Sequence, residues 1–153
     1  MGELDRFIVG TIGMPGDRTF YLQAVIGRRV VSFRCEKGQV AALSEAFERM
    51  LRDLPVVETP APWSGLELPL IEEWSVGTIG LAYEPDGDRI IIVLEELQRT
   101  AEPVDGKVNI RLSRGQVMSF VQNGRSLIVA GRPMCAYCGA PIDTDGYNCS
   151  CLN

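Results

Sequence analysis

The residues best suited to chemistry stand at the end of the chain. In "CAYCGAPIDTDGYNCSCLN", Cys135 and Cys138 form a C-x2-C pair followed by Gly139, and Cys149 and Cys151 form a C-x-C pair. The first spacing bends the chain so that both thiolates face one point, and the glycine permits the tight knuckle whose N–H groups point at sulfur. "GAP" and "DTDG" supply turns that bring the second pair back. Four thiolates within reach suit a tetrahedral zinc ion, and a closed shell of four cysteines leaves no position for water or substrate. The expectation is therefore structural zinc on Cys135, Cys138, Cys149 and Cys151, not a catalytic zinc with three protein ligands and a water. The spacing matches no common iron–sulfur pattern.

Elsewhere the chain is poor in reactive groups. It contains no histidine, which removes the commonest general base and the usual partner of a serine or cysteine nucleophile. The fifth cysteine, Cys35, ends an apolar run and reads as a small buried hydrophobe. The doublets Glu72–Glu73 and Glu95–Glu96, with Asp86 and Asp88, are candidates for acid–base chemistry or a divalent cation, but the members of each doublet point to opposite faces of a strand, so solvated face and turn residues are expected. "PGDR" at 15–18 and "DGDR" at 86–89 place Arg18 and Arg89 after similar turns; convergence of the two on an anionic ligand is conceivable, and repeated hairpin turns are the plainer reading. No phosphate-binding P-loop motif occurs.

Composition narrows the class. A chain of 153 residues, 46% hydrophobic, suffices for one core and a small appendage. Its net charge of -5, with 15 Lys and Arg residues scattered along it, disfavours nucleic acid as a partner. No apolar run long enough to cross a membrane and no leader pattern is present, which leads to the expectation of a soluble, cytoplasmic protein.

The elements that must carry these residues fall in two similar sets. "VGTIG" occurs at 9–13 and again at 76–80, "PGDR" answers "DGDR", and "KGQV" at 37–40 answers "RGQV" at 114–117. Alternating apolar residues predict strands at 6–12, 19–25 and about 30–34, and helical spacing of Val40, Leu43, Phe47, Met50 and Leu54 predicts a helix over 37–54 that covers the strands before it. Residues 55–70, rich in proline, read as a connector anchored by Trp63. Further strands are predicted through 81–83, at 89–94 and at 108–112, with Ser113 as the N-cap of a second helix. Gly124 interrupts that helix's apolar stripe, which implies close helix–sheet contact or a kink. The expected fold is α+β: duplicated β-β-β-α units (repeats about 6–54 and 72–131, connector 55–70) with six antiparallel strands and two helices in a body over 1–132. The four-cysteine zinc tail then occupies 133–153.

The stretches "RFIVGTIGMPGDRTFYLQ", "KGQVAAL", "AGRPMCAYCGAPID" and "DGYNC" resemble a bacterial family of conserved hypothetical proteins, domain of unknown function 3090, from about Arg6 to the C-terminus. The resemblance implies the same architecture and a zinc tail, and no reaction. Where that family shows a histidine shortly before the third cysteine, this chain has Tyr147, and Cys151 takes the place of fourth ligand. The leading functional expectation is a non-enzymatic protein-binding or adaptor module with structural zinc. The alternative is an enzyme or enzyme subunit acting on a phosphorylated or otherwise anionic small molecule in a cleft between the repeats.

Overall fold

The computed structural model describes residues 4–14, 16–55 and 59–130. The elements run β1 (Arg6–Ile12), β2 (Thr19–Ile26), β3 (Arg29–Cys35), α1 (Lys37–Arg52), β4 (Glu72–Glu84), β5 (Arg89–Glu96), β6 (Lys107–Leu112) and α2 (Arg114–Ala130). The strands form one sheet in sequence order, β1 to β6. β4 is much longer than the short strand expected around 81–83.

The expected all-antiparallel pairing is overturned at the centre. β3 and β4 run parallel, with Phe33 opposite Trp74 and Arg34 opposite Ser75, so the sheet is mixed. The physical reason is the length of the link: parallel neighbours need a long crossover, and α1 with the connector supplies one, whereas the other pairs are joined by short turns or loops and are antiparallel.

Alternation decides what faces the core. Phe7 and Val9 of β1, Phe20, Leu22 and Ala24 of β2, and Phe33 and Cys35 of β3 share one apolar cluster with Ile90, Ile92, Leu94, Ile110 and Leu112. Both helices complete it through Val40, Leu43, Phe47, Val117 and Phe120. Phe120 stacks on Phe7 and meets Phe47 edge-on, each at 5.4 Å between ring centroids, so one side chain joins β1, α1 and α2. Val9 and Val76 are both buried in this cluster, and a register shift between Val76 and Ile79 then reverses the alternation in β4. That bulge turns Ile79, Leu81 and Tyr83 toward the core, while Ile12 is exposed.

The helix starts are built alike. Ser113 caps α2 by accepting from the Gln116 N–H at 3.1 Å, and Gln116 Oε1 accepts from the Ser113 N–H at 2.9 Å. Gln39 Oε1 accepts from the Glu36 N–H at 2.8 Å at the start of α1. Each glutamine then spends its amide N–H groups across the molecule. Gln39 donates to the Val76 and Gly77 carbonyls of β4, both at 3.0 Å, and Gln116 donates to the Leu4 carbonyl ahead of β1 at 2.9 Å. α2 also packs against β1. Each helix thus bridges to the first strand of the other half, instead of covering only the strands that precede it.

The connector is fastened to the sheet face opposite the helices. Gln23, 0% exposed, accepts from the Glu67 N–H at 2.7 Å and donates to the Glu67 carbonyl and to Ser32 Oγ, both at 3.0 Å. Arg6 donates to Ser64 Oγ at 2.6 Å and pairs with Glu67. Leu66 lies over Gly10 so closely that a β-carbon there would meet it at 2.5 Å, which explains why glycine occupies the middle of a central run of β1. Trp63, expected as the anchor, is instead 49% exposed. Its neighbours Ser64, Leu66 and Glu67 hold the segment because they can hydrogen-bond to, or pack into, a face already made of Arg6, Gly10 and Gln23.

Gly124 faces the other helix, not the sheet, and no kink accounts for it. A β-carbon at Gly124 would lie 2.8 Å from Ser44 Oγ and 3.4 Å from Val40 Cγ1, so the glycine sets how closely α1 and α2 approach. The Ser44 hydroxyl is buried without a hydrogen-bond partner among the described residues. Gly124→Ala should cost about 1–2 kcal/mol, overpacking outweighing the helix-propensity gain of about 1 kcal/mol. In a Ser44→Ala background the same substitution should become neutral or stabilising, because the 2.8 Å contact is gone. Urea unfolding of the four variants reads this directly; an equal cost in both backgrounds would show that the contact is not the reason for the glycine.

Candidate functional site

The four tail cysteines lie outside the described residues. Among the described residues no group of three or more His, Cys, Asp and Glu side chains could hold a metal ion. Cys35 is buried at the end of β3, and desolvation, with Glu36 beside it, pushes its thiol up to about 12. It is the weakest of nucleophiles at neutral pH, as its position after an apolar strand suggests.

A cationic concavity lies where the β1–β2 turn meets the junction of β3 and α1. The cleft, about 290 Å³, is lined by Gly16, Arg18, Thr19, Phe20, Arg34, Cys35, Glu36 and Lys37. Arg18 is held over the Phe20 ring at 4.8 Å and donates through Nη1 to the Leu127 carbonyl of α2 at 2.9 Å. Arg34 Nε lies 2.8 Å from Glu72 Oε1, and a hydrogen bond with Tyr21, reinforced by Glu72, holds the guanidinium firmly in its charged form. Among the described residues Lys37, the first residue of α1, makes no ion pair.

The corresponding place in the second half is filled by protein. Arg114, the first residue of α2, grips Asp88 Oδ2 through Nε at 3.1 Å and Nη2 at 2.9 Å, and also reaches the Pro55 carbonyl. Tyr83 donates to Asp88 Oδ1 at 2.7 Å. This hydrogen bond and Arg114 keep the Asp88 carboxyl below its ordinary range, and the same bond raises the Tyr83 phenol. Asp88 adopts φ of 50°, a conformation that a short polar side chain tolerates better than most. The cluster ties the β4–β5 turn to α2 and to the start of the connector.

The arginines weighed from sequence do not meet. Arg18 and Arg89 head β2 and β5, which β3 and β4 separate, and Arg89 donates to the carbonyls of its own turn at Gly87 and Asp88. The paired carboxylates serve as local surface partners. Glu72 pairs with Arg34, Glu95 with Thr78 and Lys107, and Glu96 accepts from the Gly106 N–H. Between the helices, Glu48 is likewise spent on Arg52 and Arg125. Sequence reasoning missed Lys37, Thr19 and Arg34 as neighbours, although the shared K/R-G-Q-V start of both helices marked the first of them. It also missed Leu68 and Ile71, which stand 72% and 79% exposed on the connector.

Two expectations follow for titration. The Cys35 thiol should resist alkylation at pH 8 until the chain unfolds, and its raised pKa should contribute stability below pH 9 that is lost progressively as pH rises toward 12. Cys35→Ala should remove that alkaline component in pH-dependent melting. Asp88 behaves oppositely: its depressed pKa contributes stability above the ordinary aspartate value of 3.8 that is lost as pH falls through the folded value. Asp88→Asn should be less stable at neutral pH and show a smaller loss on acidification, and an unchanged acid limb would show that the Tyr83–Asp88–Arg114 cluster carries no linkage.

No described helix is long and apolar enough to cross a membrane. Neither a curated protein nor a solved structure matches the chain significantly. A family model does match, over residues 1–149, a span that includes the strands, both helices and the first three tail cysteines. The chain belongs to the family described as protein of unknown function, DUF3090.

Proposed function

We propose that the protein is a non-enzymatic protein-binding module with a tail folded by structural zinc on Cys135, Cys138, Cys149 and Cys151. The observation that carries the binding role is the connector. Its hydrogen bonds to Gln23 and Arg6 and the seat of Leu66 over Gly10 fix its backbone, while Trp63, Leu68 and Ile71 face solvent. A fixed segment presenting several large apolar side chains has little conformational entropy left to lose on association, and exposed apolar groups of this size are typical anchors of an interface. The donor set of the tail supports zinc, since four thiolates suit a closed tetrahedral shell.

The same reading treats the two halves as products of an internal duplication. The matched pentapeptides in β1 and β4, with Val9 and Val76 in one core, support it, as do the equivalent capping roles of Gln39 and Gln116.

Co-purification of the full chain from its native host, with metal analysis of the same sample, tests the proposal. The expected result is about one zinc per chain, as a four-cysteine shell requires, and a stoichiometric protein partner. A Leu68→Asp, Ile71→Asp variant with unchanged melting should lose the partner and keep the zinc, and Cys138→Ser should lose the zinc. Recovery of a bound metabolite with no protein partner, or partner retention by the connector variant, would overturn the assignment.

A further inference from the structure

We infer that the cleft between the β1–β2 turn and the start of α1 binds the phosphate group of a small phosphorylated molecule. The inference is independent of the adaptor reading, which rests on the opposite, connector-bearing face and on the tail.

Arg18 from the turn and Lys37 from α1 line this cleft from two parts of the chain, and Arg34 of β3 borders it with its guanidinium engaged by Tyr21 and Glu72. Arg18 is already oriented. Phe20 supports its guanidinium from below and the Leu127 carbonyl takes one N–H, and among the described residues its other nitrogens make no further hydrogen bond. A guanidinium whose plane is fixed before binding presents a fork suited to two oxygens of one anion. Lys37 brings a mobile charge, and Thr19 a hydroxyl donor. The charges opposing them are Glu36, which also lines the cleft, and Glu72, which is engaged with Arg34.

The molecule itself indicates what such a place accepts. In the second half, the residue matching Lys37 is Arg114, and the residue matching Asp17 is Asp88. There, the carboxylate of the turn lies against the first residue of the helix and takes two hydrogen bonds from it. In the first half, Asp17 is exposed, and the space between turn and helix is the cleft. In the second half Arg114 and Arg89 both act on the carboxylate of Asp88, whereas in the first half Arg18 and Lys37 border a concavity open to solvent, and two cations balance a dianion better than a monoanion. A volume of about 290 Å³ holds a phosphate and a small organic remainder, and Phe20 and the buried Cys35 give that remainder an apolar wall.

The test uses the full chain, titrated with inorganic phosphate and with glycerol phosphate at constant ionic strength set by chloride, with acetate as the carboxylate control. Binding is read by amide chemical shifts and by melting temperature. The expected result is saturable binding of both phosphates, with the largest shifts at Thr19, Lys37 and Gly38 and with acetate at least tenfold weaker. Lys37→Glu keeps the helix start favourable, because an acidic residue suits the first turn, and it should lose at least tenfold in phosphate affinity. Arg29→Glu, at the exposed start of β3, should bind as the parent does. Absence of saturation, acetate binding as tightly as phosphate, or equal losses in both charge-reversal variants would each overturn the inference.

Discussion

Neither three-stranded meander can hide its apolar face with the helix that follows it alone, and the fold is organised around that shortage. A small sheet under one helix exposes an edge and part of a face. Here the deficit is met by exchange: Gln39 ties α1 to β4, Gln116 ties α2 to the segment before β1, and Phe120 contacts both Phe7 and Phe47. The close approach of the helices at Gly124 makes this possible, since a larger residue would push α1 away at Val40 and Ser44. One core results, and cutting the chain at the connector would leave two halves each missing its covering helix.

The exchange also places the two faces at the protein's disposal. The inner face is consumed by the helices. On the outer face of β1–β3, the connector replaces what would otherwise be a solvated sheet, with Gln23 offering its amide to the Glu67 backbone much as a neighbouring strand would. Trp63, Leu68 and Ile71 are thereby turned outward, which is the basis of the protein-binding proposal. At the rim, the junction of each hairpin turn with a helix start becomes a place where charge gathers. In the second half this charge is neutralised internally by Asp88, and in the first it lines an open cleft.

Much of this was readable in local sequence, for local reasons. β1 spans the predicted residues, β2, β3, β5 and β6 differ by a residue or two, and Ser113 caps α2 as expected. These features depend on alternation, turn residues and cap chemistry, all of which act over a few positions. β4 was underestimated because its N-terminal part borrows its pairing from β3 and its alternation is broken by the bulge after Val76. The helix partner of Gly124 and the exposure of Trp63 were misjudged because a residue's burial depends on what is brought to it from afar.

By itself the sequence determined the α+β class, the order of elements, the apolar stripes of the two helices, and a set of four clustered thiols suited to zinc. Each of these follows from residue type and short-range spacing. Only the tertiary structure decided that β3 and β4 run parallel, that each helix reaches across to the other half, that Leu66 and Glu67 pin the connector, and that Arg18, Arg34 and Lys37 share one cleft. Those outcomes depend on contacts between residues far apart in the chain, and such contacts are chosen by the packing of the whole core, not by any segment's own preference.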